Sequence, residues 1–147
     1  MATLLDATVF IELERSLRGT AAGTGVVAMG RQLETRLGTE EEVGIAAITA
    51  SELLHGVHRA TPEFRARRGA FVESVLAAFP PLPFDLRCAR THARLWADLA
   101  STGHDIGPHD RLVAATAVTP GWRVATANVR HFEQVPGLDV VEVRLTD

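Results

Sequence analysis

The stretch that decides the fold lies at the start of the chain: Thr3–Phe10, with the sequence TLLDATVF. Its first part, Thr3–Leu5, is a short apolar run of the kind that forms a buried strand, and Asp6 ends that run. From Thr8 to Leu17 the apolar residues recur at close to helical spacing, which predicts a helix. A buried strand that leads through one acidic residue into a helix is typical of an α/β sheet with crossover helices.

The same alternation of short apolar runs and helical patterns continues along the chain. A glycine-rich link is expected at Gly19–Gly25, followed by helices over Val26–Leu37, Thr49–Arg59, Pro62–Phe79, Asp85–Gly103 and Pro108–Thr119, with Thr49 and Asp85 as caps. Strands are expected over Gly44–Ile48, Leu82–Phe84, Arg123–Ala125 and Val140–Val143. Proline argues against a central place for Leu82–Phe84, so that strand belongs at an edge. The pattern predicts one three-layer α/β/α domain over residues 1–147, with a mostly parallel central sheet flanked by helices.

Two packing expectations follow from the helical patterns. Phe10 and Ile11 are expected in the core, and Trp96 is expected to pack with Leu95 and Leu99 in the core or in a dimer interface.

Composition excludes several classes of protein. With 46% hydrophobic and 22% charged residues, the chain of 147 residues is an ordinary globular protein rather than a disordered one. The single cysteine, Cys88, excludes an internal disulfide and fits a reducing cytoplasm. No apolar run approaches the roughly 20 residues of a spanning helix, so neither a membrane segment nor a signal peptide is expected.

Four polar residues stand where strands are predicted to lead into helices: Asp6, Glu52, Asp110 and Asn128. Asp6 follows the first strand, Glu52 is expected in the first turn of the helix after Ile45–Ile48, and Asp110 is expected in the first turn of the helix that Pro108 opens. Because ligands of open parallel sheets bind outside the carboxyl ends of the strands, these side chains are expected to converge.

Each of the four residues also has a purely structural interpretation. Asp6 and Asn128 are good N-caps, and Thr49–Glu52 fits a capping box. Asp110 gains from the helix dipole, although Gly107 could serve as the cap there. These interpretations explain the residues singly and leave their joint placement unexplained.

Gathered in one place, three carboxylates repel one another unless a proton or a cation intervenes. Oxygen ligands alone suit Mg²⁺ or Mn²⁺, whereas Zn²⁺ prefers imidazole or thiolate. A site of this type hydrolyses phosphodiesters by activating a water and neutralising the leaving oxygen.

Four segments then carry a resemblance to a known family. Leu4–Ile11, Ile48–Val57, Ile106–Ala117 and Val124–Phe132 resemble, in this order, the four motifs of PIN-domain nucleases. The length and the motif order are similar to those of VapC, the toxin ribonucleases of bacterial VapBC toxin–antitoxin pairs. The resemblance covers nearly the whole chain.

The resemblance implies a set of residue roles. Asp6, Glu52 and Asp110 would hold Mg²⁺ or Mn²⁺, with Asp6 and Asp110 as direct ligands and Glu52 acting through water or positioning the nucleophile. Asn128 falls on the family's fourth position, which is often aspartate, and joins the other three as a catalytic candidate. The Thr8 hydroxyl could orient Asp6 or hydrogen-bond a metal-bound water.

The resemblance also implies an activity and partners. The activity is endonucleolytic cleavage of RNA in the cytoplasm, inhibited by a cognate VapB-type antitoxin. A homodimer is implied, and any DNA contact would be indirect, through the antitoxin. Arg111 and Arg130 are candidates for substrate contact because they adjoin Asp110 and Asn128.

Other polar residues favour less specific interpretations. His104, His109 and His131 flank the acidic motifs and are interpreted as solvated loop residues, with contact to RNA phosphate as the alternative. Arg59, Arg65, Arg67 and Arg68 are interpreted as a solvated helix face, with phosphate contact or antitoxin docking as the alternative. Two rival functions stay open: a folded module that binds RNA or a partner without cutting, and an aspartate-based phosphatase, for which the second aspartate is missing.

Overall fold

The computed structural model describes residues 1–16 and 22–145. Its helices are α1 (Ala7–Ser16), α2 (Ala22–Leu37), α3 (Ala47–Arg59), α4 (Pro62–Ala78), α5 (Leu86–Ser101) and α6 (Pro108–Val118). Its strands are β1 (Ala2–Leu5), β2 (Glu42–Ala46), β3 (Pro81–Leu82), β4 (Arg123–Thr126) and β5 (Val140–Glu142), and a 3₁₀ turn covers Val129–His131.

The strands form one sheet in the order β3-β2-β1-β4-β5, and every pair in it is parallel. Strand β1 lies at the centre, where Leu5 is paired with Ile45 of β2 on one side and with Ala125 of β4 on the other. The carboxyl ends of these three strands therefore meet at one edge of the sheet. The predicted α/β class and the edge position of the proline-containing strand are confirmed.

Neighbouring residues of β1 face opposite layers, as side chains alternate along a strand. Leu5 belongs to a hydrophobic cluster that includes Phe10 of α1 and Val75 of α4. Leu4 belongs to a second cluster that includes Val113 of α6 and Leu95 of α5. Helices therefore cover both faces of the sheet, which is the three-layer arrangement expected from the sequence.

The boundary between β2 and α3 differs from the prediction. The strand was expected to run to Ile48 with Thr49 as the helix cap, but β2 ends at Ala46 and α3 begins at Ala47. Ala46 occupies the N-cap position without a side-chain cap, and the buried Thr49 hydroxyl has no hydrogen-bond partner among the described residues. The apolar run contains no turn residue to mark the boundary, and alanine is the best helix former, so the helix starts early.

The start of α2 is a second difference. The glycine-rich link was expected to extend to Gly25, but α2 begins at Ala22, and residues 19–21 of the expected link lie outside the described residues. Met29 and Leu33 of this helix are buried in the core, so packing outweighs the low helix propensity of its glycines. The other helix and strand boundaries differ from the predicted ones by one or two residues. Helix α4 ends at Ala78, β3 covers Pro81–Leu82, β4 ends at Thr126 and β5 ends at Glu142.

Ile11, expected in the core, lies at the surface, and so does Trp96, which was expected either in the core or in a dimer interface. Ile11 is 44% exposed and Trp96 is 52% exposed, although Phe10 is fully buried as predicted. On α5 the inward positions belong to Cys88, Thr91, Leu95 and Leu99. Helical spacing fixes which residues share a face but not how wide the buried face is, and here it is too narrow to include Trp96. No helix in the described ranges is long and apolar enough to cross a bilayer.

Candidate active site

Asp6 lies at the carboxyl end of the central strand. Its backbone N–H donates to the Ala125 carbonyl at 2.9 Å, which keeps Asp6 in register with β4. Its side chain is almost fully buried, with the residue 4% exposed. The carboxylate does not act as a simple helix cap in the described contacts: Oδ2 accepts hydrogen bonds from the Thr8 hydroxyl at 2.8 Å and from the Thr126 hydroxyl at 3.0 Å.

Thr8 and Thr126 join the start of α1 to the end of β4. The backbone N–H of Ala127 donates to the Thr8 hydroxyl at 3.1 Å, and that of Asn128 donates to the Thr126 hydroxyl at 3.0 Å. Two threonines therefore hold Asp6 and set the path of the chain into Asn128. From the sequence, Thr8 was selected and Thr126 was missed. The feature that could have pointed to Thr126 is its place at the end of an apolar strand, two residues before Asn128.

Asp110 is the third residue of α6, with Gly107 as the N-cap, as predicted. Its Oδ2 lies 2.9 Å from Nδ1 of His131 in the 3₁₀ turn after β4. His131 Nε2 in turn lies 2.9 Å from Nδ2 of Asn128. A hydrogen bond to a carboxylate requires a proton on Nδ1, so His131 donates to Asp110 and links it to Asn128.

Glu52 approaches the same place from α3. Because α3 begins at Ala47, Glu52 lies in the second turn of the helix and not in the first, and the predicted capping box with Thr49 is wrong. Its Oε2 lies 3.8 Å from Nδ1 of His109, the second residue of α6. His109 and His131, interpreted from sequence as solvated loop residues, therefore each face an acidic side chain.

The charge of Asp6 acts on both other acidic residues of this site. Burial is the main cause that raises the pKa of Glu52, and the charges of Asp6 and Asp110 raise it further. Burial also raises the pKa of Asp110, and the charge of Asp6 adds to this effect. The histidines act in the opposite direction, with His109 lowering the pKa of Glu52 and both histidines lowering that of Asp110. The acidic residues therefore share one environment in which negative charge is costly.

This arrangement fits a hard divalent cation by the chemistry of its donors. The donor set consists of carboxylates and one amide side chain, and a cation would relieve the repulsion that contributes to the two raised pKa values. The described residues contain no group of three histidine, cysteine or acidic side chains already converged on one metal position. Small side-chain movements would therefore have to accompany binding.

The two arginine candidates lie in different surroundings. The Arg111 side chain is 11% exposed, and its guanidinium donates to the Ile106 carbonyl at 2.7 Å and to Asp105 at 2.9 Å. Its charge is therefore already engaged within the protein. Arg130 is exposed, two residues after Asn128.

The basic stretch on α4 is also engaged in part. Arg68 forms an ion pair with Glu14 at 2.7 Å, and Arg65 donates to the Ala60 carbonyl at 2.9 Å. These contacts join α4 to α1 and to the end of α3. Arg65 and Arg68 therefore make contacts within the protein and do not form a purely solvated helix face.

Comparisons with known proteins identify the family. The PIN domain family model matches residues 3–138. Ribonuclease VapC1 of Rickettsia felis is 34% identical over 148 residues, covering 100% of both chains. The chain belongs to the PIN-domain family, among the VapC ribonucleases.

Solved structures of VapC relatives share this fold. A VapBC-5 toxin–antitoxin structure from Mycobacterium tuberculosis matches with a TM-score of 0.70 at 30% identity, covering 98% of both chains. A DNA-bound VapBC structure from Salmonella typhimurium matches with a TM-score of 0.76 at 25% identity, covering 97% of this chain and 98% of that one. The similarity therefore extends over nearly the whole chain.

Proposed function

We propose that this chain is the toxin of a type II toxin–antitoxin module, a Mg²⁺- or Mn²⁺-dependent endoribonuclease. The observation that carries the proposal is the shared environment of Asp6, Glu52 and Asp110, in which the charge of Asp6 raises the pKa of both other carboxyls and the charge of Asp110 raises that of Glu52. These residues come from three separate parts of the chain, and the fold brings them to one edge of the sheet. Membership among the VapC ribonucleases supports the same activity.

The proposed roles of the acidic residues follow from how deeply each side chain is buried. Asp6 and Asp110 would hold the metal directly, and Glu52, less deeply enclosed, would act through water or position the nucleophile. When bound, the metal supplies an activated water and neutralises charge on the leaving oxygen. Thr8 and Thr126 fix the orientation of Asp6, and His131 fixes that of Asp110.

Asn128 is a neutral member of the site. Its amide contacts His131, and its backbone N–H is held by Thr126. In place of the family's more common aspartate, it adds an oxygen ligand without adding repulsion. Arg130, exposed in the same turn, is the proposed contact for substrate phosphate; Arg111 is the weaker candidate because its charge is already engaged.

The partner in this proposal is a VapB-type antitoxin that covers the acidic site. The similar VapBC structures from Salmonella typhimurium and Mycobacterium tuberculosis support such a partner, and the DNA-bound complex supports contact with DNA through the antitoxin. The proposal also includes a homodimer and a cytoplasmic location, where RNA substrates are present and Cys88 stays reduced.

A growth and cleavage experiment tests the proposal. Induction of the wild-type chain alone is expected to arrest growth, and co-expression of the neighbouring antitoxin to relieve the arrest. The purified protein is expected to cut RNA with Mg²⁺ or Mn²⁺ and to stop in EDTA. Asp6→Asn and Asp110→Asn should abolish both effects, whereas Asp98→Asn, an exposed aspartate on α5, should leave them intact.

The alternatives predict different outcomes. A module that binds RNA or a partner without cutting would give equal toxicity for the wild type and both active-site variants, with no RNA ends produced. An aspartate-based phosphatase would leave a covalent phospho-aspartate on Asp6. Either result would contradict the nuclease proposal.

A further inference from the structure

Arg111 carries a buried charge whose contacts point back along the chain. Its side chain is 11% exposed, and one guanidinium nitrogen, Nη1, donates to the Ile106 carbonyl at 2.7 Å and to Asp105 Oδ1 at 2.9 Å. Its Nε is buried and has no hydrogen-bond partner among the described residues. Burial of an incompletely paired charge costs free energy, and an apolar side chain would fill the same space at less cost. The arginine therefore needs an explanation other than packing.

The two acceptors lie in the segment that joins α5 to α6. Residues 102–107 form neither helix nor strand. Helix α6 then begins with Gly107 as the N-cap, which has no side chain to cap the helix. The Arg111 side chain therefore supplies the link that a capping side chain would give, because it ties Asp105 and Ile106 to the helix that follows them.

The ring of Trp96 covers the guanidinium of Arg111. The guanidinium carbon lies 4.9 Å from the centre of the ring, within the range of a cation–π contact. Trp96 lies on α5, so Arg111 contacts α5 and the joining segment as well as its own helix. We call Arg111, Trp96, Asp105 and Ile106 the arginine clamp.

The arginine clamp lies next to Asp110. Asp110 directly precedes Arg111, and successive helical residues point about 100° apart, so one side chain reaches α5 while the other reaches His131. The joining segment also limits the space around the carboxylate, because a Cβ added to Gly107 would lie 3.8 Å from Asp110 Oδ2. A shift of this segment would therefore displace Asp110, and metal ligands tolerate displacements of only about 0.2 Å.

We propose that Arg111 is a positioning residue for Asp110. It fixes the joining segment against α5 and against the start of α6, and it thereby keeps the Asp110 carboxylate facing His131, where it is available to a divalent cation. This inference rests on the proposed nuclease function and adds to it a residue that acts through Asp110 and not on the substrate.

Direct contact with RNA is the less favourable role for Arg111. A phosphate would have to displace Asp105, whose negative charge lies 2.9 Å from Arg111 Nη1. It would also have to reach a guanidinium that Trp96 covers on one face. The partners already in place therefore favour the positioning role.

The experiment measures metal binding separately from cleavage. Arg111→Met removes the charge and the hydrogen bonds and keeps a long side chain, and calorimetric titration measures the Mn²⁺ affinity without RNA. We expect this affinity to fall about 10- to 100-fold, as when a metal ligand loses its supporting partner. At saturating Mn²⁺, kcat should fall by up to about 100-fold because the carboxylate is misplaced. KM for a fluorescein-labelled RNA should stay unchanged.

Arg123→Met is the matched control. Arg123 is another partly buried arginine, with its side chain 24% exposed, and it donates to the Thr3 hydroxyl at 2.9 Å and pairs with Glu41 at 3.5 Å. These contacts lie at the amino end of β4, the opposite end from the acidic site. The control should keep the Mn²⁺ affinity and the kcat of the wild type, whatever stability it loses.

Two further variants keep the proposal testable if Arg111→Met does not fold. Arg111→Lys retains a cation that can replace the one donating nitrogen but not the planar group beneath Trp96, so its Mn²⁺ affinity should fall by a smaller factor. Trp96→Ala changes a surface position and should lower the Mn²⁺ affinity about two- to fivefold. Phe64→Ala, which removes an aromatic ring of similar exposure on α4, should leave the affinity unchanged.

The outcomes separate positioning from substrate contact and from the nuclease proposal. Wild-type Mn²⁺ affinity in Arg111→Met overturns the positioning role, as it does in both Arg111→Lys and Trp96→Ala if Arg111→Met does not fold. A higher KM for RNA, a salt slope lower by about 0.7 and an unchanged Mn²⁺ affinity would assign Arg111 to the substrate instead. If the wild type binds Mn²⁺ and cuts no RNA, the nuclease proposal fails while the Mn²⁺ affinities still decide the role of Arg111.

Discussion

The Thr126 hydroxyl donates a hydrogen bond to Asp6 Oδ2 at 3.0 Å, between residues 120 positions apart in the sequence. The bond is buried at the ends of two adjacent parallel strands, β4 and β1. The second hydroxyl on the same oxygen, that of Thr8, comes from the next turn of the chain. Thr126 is therefore the long-range contact that holds the central carboxylate in place.

Thr126→Val is expected to remove a hydrogen bond that orients the Asp6 carboxylate, without changing the shape of the core. Loss of the hydroxyl removes a donor to Asp6 and an acceptor for the Asn128 N–H, and we expect about 1 kcal/mol less stability. Mn²⁺ affinity should fall about 10- to 100-fold, as is typical when a ligand loses its supporting partner. Calorimetric titration with Mn²⁺ measures the effect.

Thr116→Val is the control for this prediction. Thr116 is also a buried threonine, but its hydroxyl donates to the Leu112 carbonyl within α6. It should lose similar stability and keep the Mn²⁺ affinity of the wild type. Equal losses of Mn²⁺ affinity in both variants would show that the Thr126 hydroxyl has no particular role at Asp6.

Asp110→Asn is expected to stabilise the metal-free protein. The pKa of Asp110 is raised, chiefly by burial and then by the charge of Asp6, so the folded state binds its proton more tightly than the unfolded state does. The stability from this group is therefore full below the unfolded pKa, about 4, and is lost as the pH rises through the folded pKa. In EDTA at pH 7, the variant should melt at a higher temperature than the wild type.

A divalent metal should reverse the order of the two melting temperatures, so that the wild type melts above Asp110→Asn. At one hundred times its Kd, a ligand of the folded state adds about 2.7 kcal/mol of stability, and Asp110→Asn should forgo most of that gain. Thermal melts with and without Mg²⁺ measure the reversal, with Asp98→Asn as the exposed control. A variant that melts below the wild type in EDTA would argue against electrostatic strain at this site.

Gly44→Ala is expected to destabilise the sheet. A Cβ on this residue of β2 would lie 2.9 Å from Leu82 Cδ1, 3.2 Å from the Trp122 ring and 3.3 Å from the Pro80 carbonyl oxygen. Leu82 can move, but the ring and the backbone oxygen leave little room, and we expect a loss of about 1–3 kcal/mol. Urea unfolding measures the free energy.

Gly30→Ala is the control, and we expect it to change the free energy of unfolding in the opposite direction. Gly30 lies within α2, and a Cβ there would meet nothing within 4 Å. Alanine should therefore stabilise the protein by about 0.5–1 kcal/mol. If both alanines destabilise the protein equally, steric crowding at Gly44 is not the cause.

Asp85 caps α5, as its place before the helix predicts. Its side chain accepts a hydrogen bond from the Cys88 N–H at 3.0 Å, and this bond is the main cause that lowers the pKa of Asp85. The stability from the charged cap is therefore present above the unfolded pKa and is lost as the pH falls through the folded pKa. Asp85→Ala should be less stable than the wild type at pH 7, and the difference should shrink below about pH 4.

Asp85→Asn separates the charge from the cap. Asparagine caps helices about as well as aspartate and does not titrate. Its melting temperature should stay above that of Asp85→Ala at every pH. A wild-type advantage over Asp85→Ala that persists unchanged in acid would mean that the hydrogen bond does not depend on the carboxylate charge.

The parts of the fold that were predictable have strong local signals. Asp85 and Pro108 mark the starts of α5 and α6, and both were placed correctly. The boundary of β2 was misplaced because Ile45–Ile48 is uniformly apolar, so nothing local separates a strand from a helix. Ile11 was misplaced because periodicity cannot show which neighbours will cover a side chain, and for the same reason the sequence left Trp96 open between the core and a dimer interface.

The same distinction applies to the candidate site. Asp6 and Asp110 could be selected from their places beside Leu5 and Pro108, which are local features. Thr126 and His131 could not be selected in this way, because their roles depend on partners that lie elsewhere in the sequence. A threonine at the end of a strand and a histidine in a turn are each unremarkable until the sheet brings them to a carboxylate.

The sequence by itself determined the order of strands and helices and placed acidic residues near the ends of β1 and β2 and at the start of α6, since alternation of apolar runs and capping residues are local properties. The tertiary structure alone decided which distant groups face each carboxylate: the Thr126 hydroxyl at Asp6, the His131 imidazole at Asp110 and the His109 imidazole at Glu52. It also decided that the rings beside α5 stay open to solvent. These outcomes depend on how helices pack across the sheet, and packing joins residues whose separation in the chain carries no local signal.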